Sequence, residues 1–544
     1  VDSTKSTSSK TGVTATIKNF YGRFFNFDSI RNDPPPTGAD APYVALSDGR
    51  RITAVEDPTA VDFDLSGRLW IADNGPDQNI KIFDLEVSLT TRSATFGEKG
   101  GVFAGPTRGA TGDFRFWGPR GIAHDAEGHI YIGCTGLTMM IIGGTDLRMF
   151  SADGTQLLWQ AYGTFLDTAS ADPDSLGTSL YLCGKRYEMD YTQPPGKSSK
   201  WAGVTFDPFT YGDDPRVTNA YAMLGIRRIQ GKRFMFCGTM YGSVVAVYRF
   251  EEDSEIAVPC AYLCLGGEKG LSPDYLTPLH PTWEDTETNK RNRWAWRDSD
   301  GDGHFSSTSE FVIWENWTLY SQGIDVDDAG GIWFGGAGLL SPYFRGGGIQ
   351  YWPCTGVDAH GVPIYDFANP QRFDVPYGEG QNNSGVNRLK YLPQTDTMFF
   401  AGGNSSWYAK TIYCYKNFTD AARRTLAFTI DLGFFDNLDA SGIHLDLGTA
   451  AMVLPYSFTA DEDYIYVVYL DNGKDGRKRG EVTIYSAVDG HQVDFIVPGE
   501  VVGGGAGTVD IVNGVHVTTD ADGWKIILVE DDGGAKVMAY RWKP

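Results

Sequence analysis

The chain has 544 residues and a formal charge of −23, from 46 basic and 69 acidic side chains, a balance that disfavours docking on nucleic-acid phosphates or anionic lipid. Its 67 Gly, 28 Tyr, 31 Phe and 14 Trp suit short strands joined by tight turns, since aromatics favour strands and glycine favours turns. No run of about 18 apolar residues occurs, which excludes a spanning helix, and the length exceeds one ordinary core unless a repeat supplies a modular one.

Residues 1–50 form a polar segment with one strand, GVTATIKNFYG from Gly12, and a break at the PPPTG run from Pro34. The opening VDSTKSTSSKTG lacks the basic and apolar regions of a signal peptide, and it fits a mature secreted end as well as a trimmed one. From residue 51 onward one spacing recurs: an apolar residue, Asp at +3, Gly at +6, then strand residues at +8 and +9. The copies are Val61, Asp64, Gly67, Leu69, Trp70; Ile122, Asp125, Gly128, Ile130, Tyr131; and Ile324, Asp327, Gly330, Ile332, Trp333. Each is a buried strand, an Asp-x-x-Gly turn in which glycine takes positive φ, and a second strand.

Degenerate hairpins begin at Gly225, Leu389, Phe458 and Val517, making seven, and most are followed by a third strand such as LRMFSADG from Leu147 or KVMAYRW from Lys536. Seven such units with no helical partner imply an all-β fold, a β-propeller of seven blades with six or eight as alternatives. One propeller domain is expected over 51–544, closed by the GVTATIKNFYG strand or by KVMAYRW, with long insertions at about 163–217 and 266–310. GPRGIAHDAEGHIYIG followed by LRMFSADGTQLLW resembles an NHL repeat, the unit of NHL and SMP-30-like propellers. That resemblance implies fold, and fold alone does not imply function.

The second insertion carries Asp298, Asp300, Asp302, Gly303 and His304, with Glu310 beyond. Alternating aspartates, a glycine at the bend, a backbone carbonyl at His304 and a late glutamate make a calcium-loop layout. It resembles the EF-hand-like loop of dockerins, except that Glu310 falls at position 13 rather than 12. Bound Ca²⁺ with a structural role is the expectation. The seven cysteines lack a CxxC pair and read mainly as buried strand residues, with at most one or two disulfides. VVGGGAGTV from Val501 precedes no helix and is not a phosphate loop.

In a propeller the loops entering each first strand and leaving each second strand share one face. Projected there, Asp73, Asn74, Gln322, Asn387, Asn404 and Asp471 are ligand-binding candidates, a mixture suited to a cation or a hydroxyl-rich ligand. For acid, base or oxyanion work the candidates are Arg120, His124, Arg388 and Tyr241. Glu56 faintly matches the first metal ligand of SMP-30-like lactonases, but the later Asn-Asp element is absent, and the histidines (His124, His444 and His516 among them) show no regular blade spacing. No GxSxG elbow is present. The leading expectation is a secreted, extracellular or periplasmic, carbohydrate-active protein, a polysaccharide lyase or hydrolase acting on a polysaccharide or oligosaccharide in the central funnel. The alternatives are a non-catalytic glycan- or protein-binding propeller and a metal-dependent lactonase.

Overall fold

The computed structural model describes residues 4–23, 34–137, 144–163, 168–212, 214–217, 221–239, 244–265, 293–314, 323–335, 349–373, 386–402, 411–432, 455–469, 479–502, 506, 509, 511–531 and 533–544. The repeated turn explains its own sequence. Asp64 accepts the backbone N–H groups of Ser66 (3.0 Å) and Arg68 (2.9 Å) and the indole Nε1–H of Trp70 (3.0 Å). Asp327 repeats this with Ala329, Gly331 and Trp333, and Asp125 with Glu127, His129 and the Tyr131 hydroxyl. The +3 carboxylate therefore caps the turn and tethers the +9 aromatic, while Gly67, Gly128 and Gly330 hold φ near +85°, at +83°, +86° and +84°.

Among the described residues, nine antiparallel sheets result, with a few short 3₁₀ turns. No helix among the described residues is long and apolar enough to cross a membrane. Two compact units contain the sheets: Val1–Phe165 with Trp201–Asn219 and Glu251–Ile256, and Leu166–Lys200 with Ala220–Phe250 and Ala257–Pro544. The first holds sheet I (Lys5–Thr7, Thr14–Lys18, Tyr43–Leu46, Arg51–Ile52), sheet II (Pro58–Phe63, Leu69–Asp73, Asn79–Phe83, Ala94–Phe96) and sheet III (Pro119–His124, Ile130–Cys134, Asp146–Phe150, Leu157–Tyr162). Ala15, Val44, Val61 and Ile71 share a core between I and II; Trp70, Ile80, Ile122 and Ile132 share one between II and III.

Among the described residues, six further sheets have their inner strands in the second unit. Their inner strands are Ser170–Ala171 (IV), Tyr221–Ile229 (V), Gly323–Val326 (VI), Val386–Leu392 (VII), Pro455–Ala460 (VIII) and Val515–Thr519 (IX). One face of five of these inner strands packs on the preceding sheet. Ile324 and Val326 lie with Phe234 and Phe236, Leu389 and Tyr391 with Trp333 and Ile349, Phe458 with Phe399, Val515 with Tyr466 and Val468, and Ala169 and Ala171 with Ile526 and Leu528. Inner strands neighbour one another in closed cyclic order, IX returning to IV. This is a β-propeller.

All seven hairpins expected from the sequence form, two in sheets II and III and five in sheets V to IX. The count of seven units still needs correction, because sheets I and IV are additional. Within the 163–217 stretch, residues 170–204 form sheet IV, with strands Ser170–Ala171, Ser179–Tyr181, Lys185–Met189 and Ser199–Val204, where an irregular insertion was expected. Arg293–Arg297, in the second stretch, and Phe311–Trp314, just after it, join sheet V, making six strands. Thr14–Lys18 joins sheet I and Lys536–Trp542 sheet IX, so the second unit's ring closes by packing and not through a borrowed strand. All seven cysteines are free, six of them buried.

Candidate functional site

The carboxylates that leave second strands turn out to clasp incoming loops. Asp73 accepts the N–H groups of Glu56 (3.0 Å) and Asp57 (2.8 Å) and pairs with Lys81. Asn74 donates to Arg23 O (3.2 Å) and to Asp57 (3.2 Å), and all three of Asp57, Asp73 and Asn74 are fully buried. In sheet IX, Glu530 does the same for Ile511 N–H (2.8 Å). Asp73 and Asn74, expected as ligand-binding residues, thus bond the incoming loop and neighbouring side chains, as buried polar groups must be paired. Gln322, Asn404 and Asp471 lie outside the described residues, and Asn387 is the bulged residue of its inner strand.

His124 is wedged between sheets II and III, its Nδ1 2.9 Å from Asp62 and its ring edge-on to Trp70, which is a joint between sheets. Arg120 donates to Thr135 Oγ1 (3.2 Å) and Arg23 O (3.0 Å), and burial lowers its pKa to about 10. Both belong to the first unit, whereas Arg388 is buried on the inner strand of sheet VII. Tyr241 and His444 lie outside the described residues. Glu56 sits against Gly75, its pKa raised by burial and then by Asp73; among the described residues it belongs to no group of three metal-ligating side chains.

What does converge lies inside the ring of the second unit, on the inner-strand face opposite the apolar one. Asp325 accepts Lys390 Nζ (3.0 Å) and Tyr391 N (2.9 Å) of the following strand. Thr168 Oγ1 donates to Met223 O (3.0 Å) and accepts Met223 N–H (2.7 Å), and Ser170 Oγ accepts Ile226 N–H (3.3 Å). His516 of sheet IX reaches past sheet IV to Met223 O of sheet V, with Nε2 at 2.9 Å. A carbonyl only accepts, so Nε2 carries the proton and Nδ1 presents a lone pair. Enclosure lowers the His516 pKa to about 4, the cations Arg227 and Lys390 adding to the effect and the Met223 bond and Asp325 opposing it. Arg227 in turn spans to Val326 O (2.5 Å) and Asp327 O (3.0 Å) of sheet VI. Four inner strands thus contribute His516, Arg227, Asp325 and Lys390 to one polar interior. Sequence reasoning missed the last three, although Asp325 repeats Asp62 in the doublets VDFD and IDVD.

The calcium-type loop is built as a second polar centre. Asp298, Asp300 and Glu310 bring carboxylate oxygens within 4.8 Å of one another. The 3₁₀ turn Thr308–Glu310, capped by Ser307, brings Glu310 back despite its extra residue. Asp298 is 0% and Glu310 6% exposed, so two acidic groups are held away from water, and burial raises the Asp298 pKa against the pull of Arg249. Asp298 accepts Gly301 N–H (2.8 Å) and Arg249 (2.8 Å), while Glu310 accepts Ser299 N–H (2.8 Å) and Trp296 Nε1–H (3.1 Å). These hard oxygen donors fit a calcium-sized cation, with Arg249 neutralising part of their charge. Asp302 is exposed in this arrangement, and its Oδ1 accepts His304 N–H (2.7 Å).

No protein-family model matches the chain, and no curated protein does. Among solved structures, a candidate 6-phosphogluconolactonase from Bacteroides uniformis is 11% identical over 71% of this chain and 90% of its own, with a TM-score of 0.24. Apo AztD from Citrobacter koseri is 9% identical over 87% and 93%, at 0.27. Sqt1 from Saccharomyces cerevisiae is 8% identical over 100% and 96%, at 0.23. Likeness this remote transfers no activity.

Proposed function

We propose that the chain is an extracellular, glycan-binding propeller whose hydroxyl-rich ligand is held inside the ring of the second unit. The observation that carries this reading is the convergence of His516, Arg227, Asp325 and Lys390 from four inner strands. Together they offer a lone pair at Nδ1, a carboxylate and two cations, the mixture of donors and acceptors that saccharide hydroxyls match. Binding is favoured over hydrolysis or elimination because a histidine titrating near 4 is a weak proton acceptor at neutral pH. Isothermal titration against neutral and acidic polysaccharides, with reducing-sugar and ultraviolet readouts of product, tests it. Binding without product is expected, and His516→Ala or Lys390→Met should weaken it about tenfold, or about 1.4 kcal/mol. Absence of binding to every glycan overturns the reading, and product formation would replace it with the lyase or hydrolase alternative.

A structural Ca²⁺ held by Asp298, Asp300 and Glu310 completes the proposal. Extracellular modules hold calcium in about the 10⁻⁴–10⁻³ M range, which suits a partly neutralised site of this kind outside the cell.

A further inference from the structure

An Asp-x-x-Gly turn also occurs outside the repeated hairpins. Between Ile349–Trp352 and Gln371–Phe373 of sheet VI the chain makes a smaller hairpin, bridged at Val357 and Pro363, with Asp358 and Gly361 at its tip. Asp358 Oδ1 accepts the N–H groups of His360 (2.9 Å) and Val362 (3.0 Å), and Gly361 holds φ +81°, as Asp327 and Gly330 do in the repeat. The second oxygen differs. Asp327 Oδ2 accepts the Trp333 indole N–H of its own sheet, whereas Asp358 Oδ2 pairs with Arg297 of sheet V. The tether of the repeated turn is here directed onto a neighbouring sheet.

Arg297 immediately precedes Asp298, the first carboxylate of the calcium-type loop, and its Nε also donates to Pro363 O (2.9 Å). Further along that loop, Gly301 lies so close to the hairpin that a Cβ on it would stand 2.8 Å from His360 Cβ. Arg249 of sheet V joins the two points, donating to Asp298 (2.8 Å) and to Gly301 O (2.7 Å). The same two sheets share a core through Val362 and Tyr365 on one side and Val245 and Ala295 on the other. Loop and hairpin thus meet at two polar points beside one apolar seam.

We propose that cation binding at this loop clasps sheet V to sheet VI, an inference that rests on the calcium reading above. Asp298, Asp300 and Glu310 bring their oxygens within 4.8 Å of one another, and Arg249 offsets one of the three charges. Like charges at that range repel, which drives Asp298 and Gly301 away from the positions that meet the hairpin. A divalent cation reverses the sign of the interaction and fixes the loop backbone. Occupancy of the loop therefore sets how firmly the hairpin is held, although Asp358 and His360 lie outside the cluster of carboxylates.

Amide exchange of the full chain, followed in millimolar calcium and in chelator while titration calorimetry reads calcium binding, tests this. Chelation should quicken exchange about tenfold or more at His360, Val362 and Ile364 of the hairpin as well as at Gly301 and Gly303 of the loop. Tyr464–Tyr469 of sheet VIII should not respond. Asp358→Asn keeps an acceptor for the turn but loses the charge that holds Arg297. It should bind calcium as the parent chain does, while its hairpin amides no longer respond to the ion. Calcium binding with a response confined to 298–310 in the parent chain overturns the clasp and leaves the calcium site standing. A hairpin that responds as fully in Asp358→Asn as in the parent also overturns it. Absence of calcium binding removes both.

Discussion

A single aspartate does three jobs in each hairpin, and its energetic weight follows from burial. Asp327→Ala would leave the Gly331 N–H and the Trp333 indole N–H buried without acceptors, at an expected cost of about 3 kcal/mol. Asp125→Ala, at a wetter turn, should cost about 1 kcal/mol. Denaturant melts of the two variants check the ratio. This residue was legible in the sequence because the turn is local chemistry, decided within seven positions. The roles of Asp73 and Asn74 were not, because the groups they bond, Glu56 N, Asp57 N and Arg23 O, lie 16 to 51 residues away in the chain.

His516 belongs to the same scale. Its folded pKa is about 4 against an ordinary value of 6.5, so the unfolded chain takes the proton first. The neutral imidazole's contribution is fully present above about pH 6.5 and is lost as pH falls toward about 4. Arg227, Lys390 and Asp325 face it. Melting temperature should therefore fall with acidification between those limits, and His516→Gln, which keeps a donor for Met223 O, should flatten that part of the profile.

At the scale of elements, spacing was the legible quantity, and its failures were changes of spacing. Sheet IV carries the same turn with three extra residues: Ala169, Asp172 at +3, then Gly177 at +8, followed by Leu180 and Tyr181 at +11 and +12. Asp172 still caps the turn by accepting Asp174 N–H at 3.2 Å, and Gly177 still has φ +86°. A search that allowed a longer turn would have found it. The calcium-type loop shows the converse, since a 3₁₀ turn absorbs the one-residue excess before Glu310. Calcium at about 1 mM should raise the melting temperature and chelation should lower it. Glu310→Gln should abolish that response while Asp302→Asn, exposed in the loop, weakens it less; a chain indifferent to calcium would remove the ion from the account.

For the molecule as a whole, ring closure is the property that no local pattern could reveal, because it joins Ala169 and Ala171 to Ile526 and Leu528, some 350 residues later. Leu528 is 1% exposed, and its truncation to alanine should cost about 2–4 kcal/mol from lost transfer energy and an incompletely collapsed cavity. In an open stack of sheets that loss would stay with sheet IX, at the chain's end. In a closed ring it loosens the joint on both sides, so amide exchange should quicken in Ser179–Tyr181 of sheet IV as well as in Lys525–Asp531 of sheet IX. A comparable truncation at an interior joint, Val467→Ala in sheet VIII, should instead spare sheet IV. Exchange confined to sheet IX in the Leu528→Ala variant would mean that the two ends of the second unit do not stabilise one another, and that its six inner strands form an arc instead of a ring.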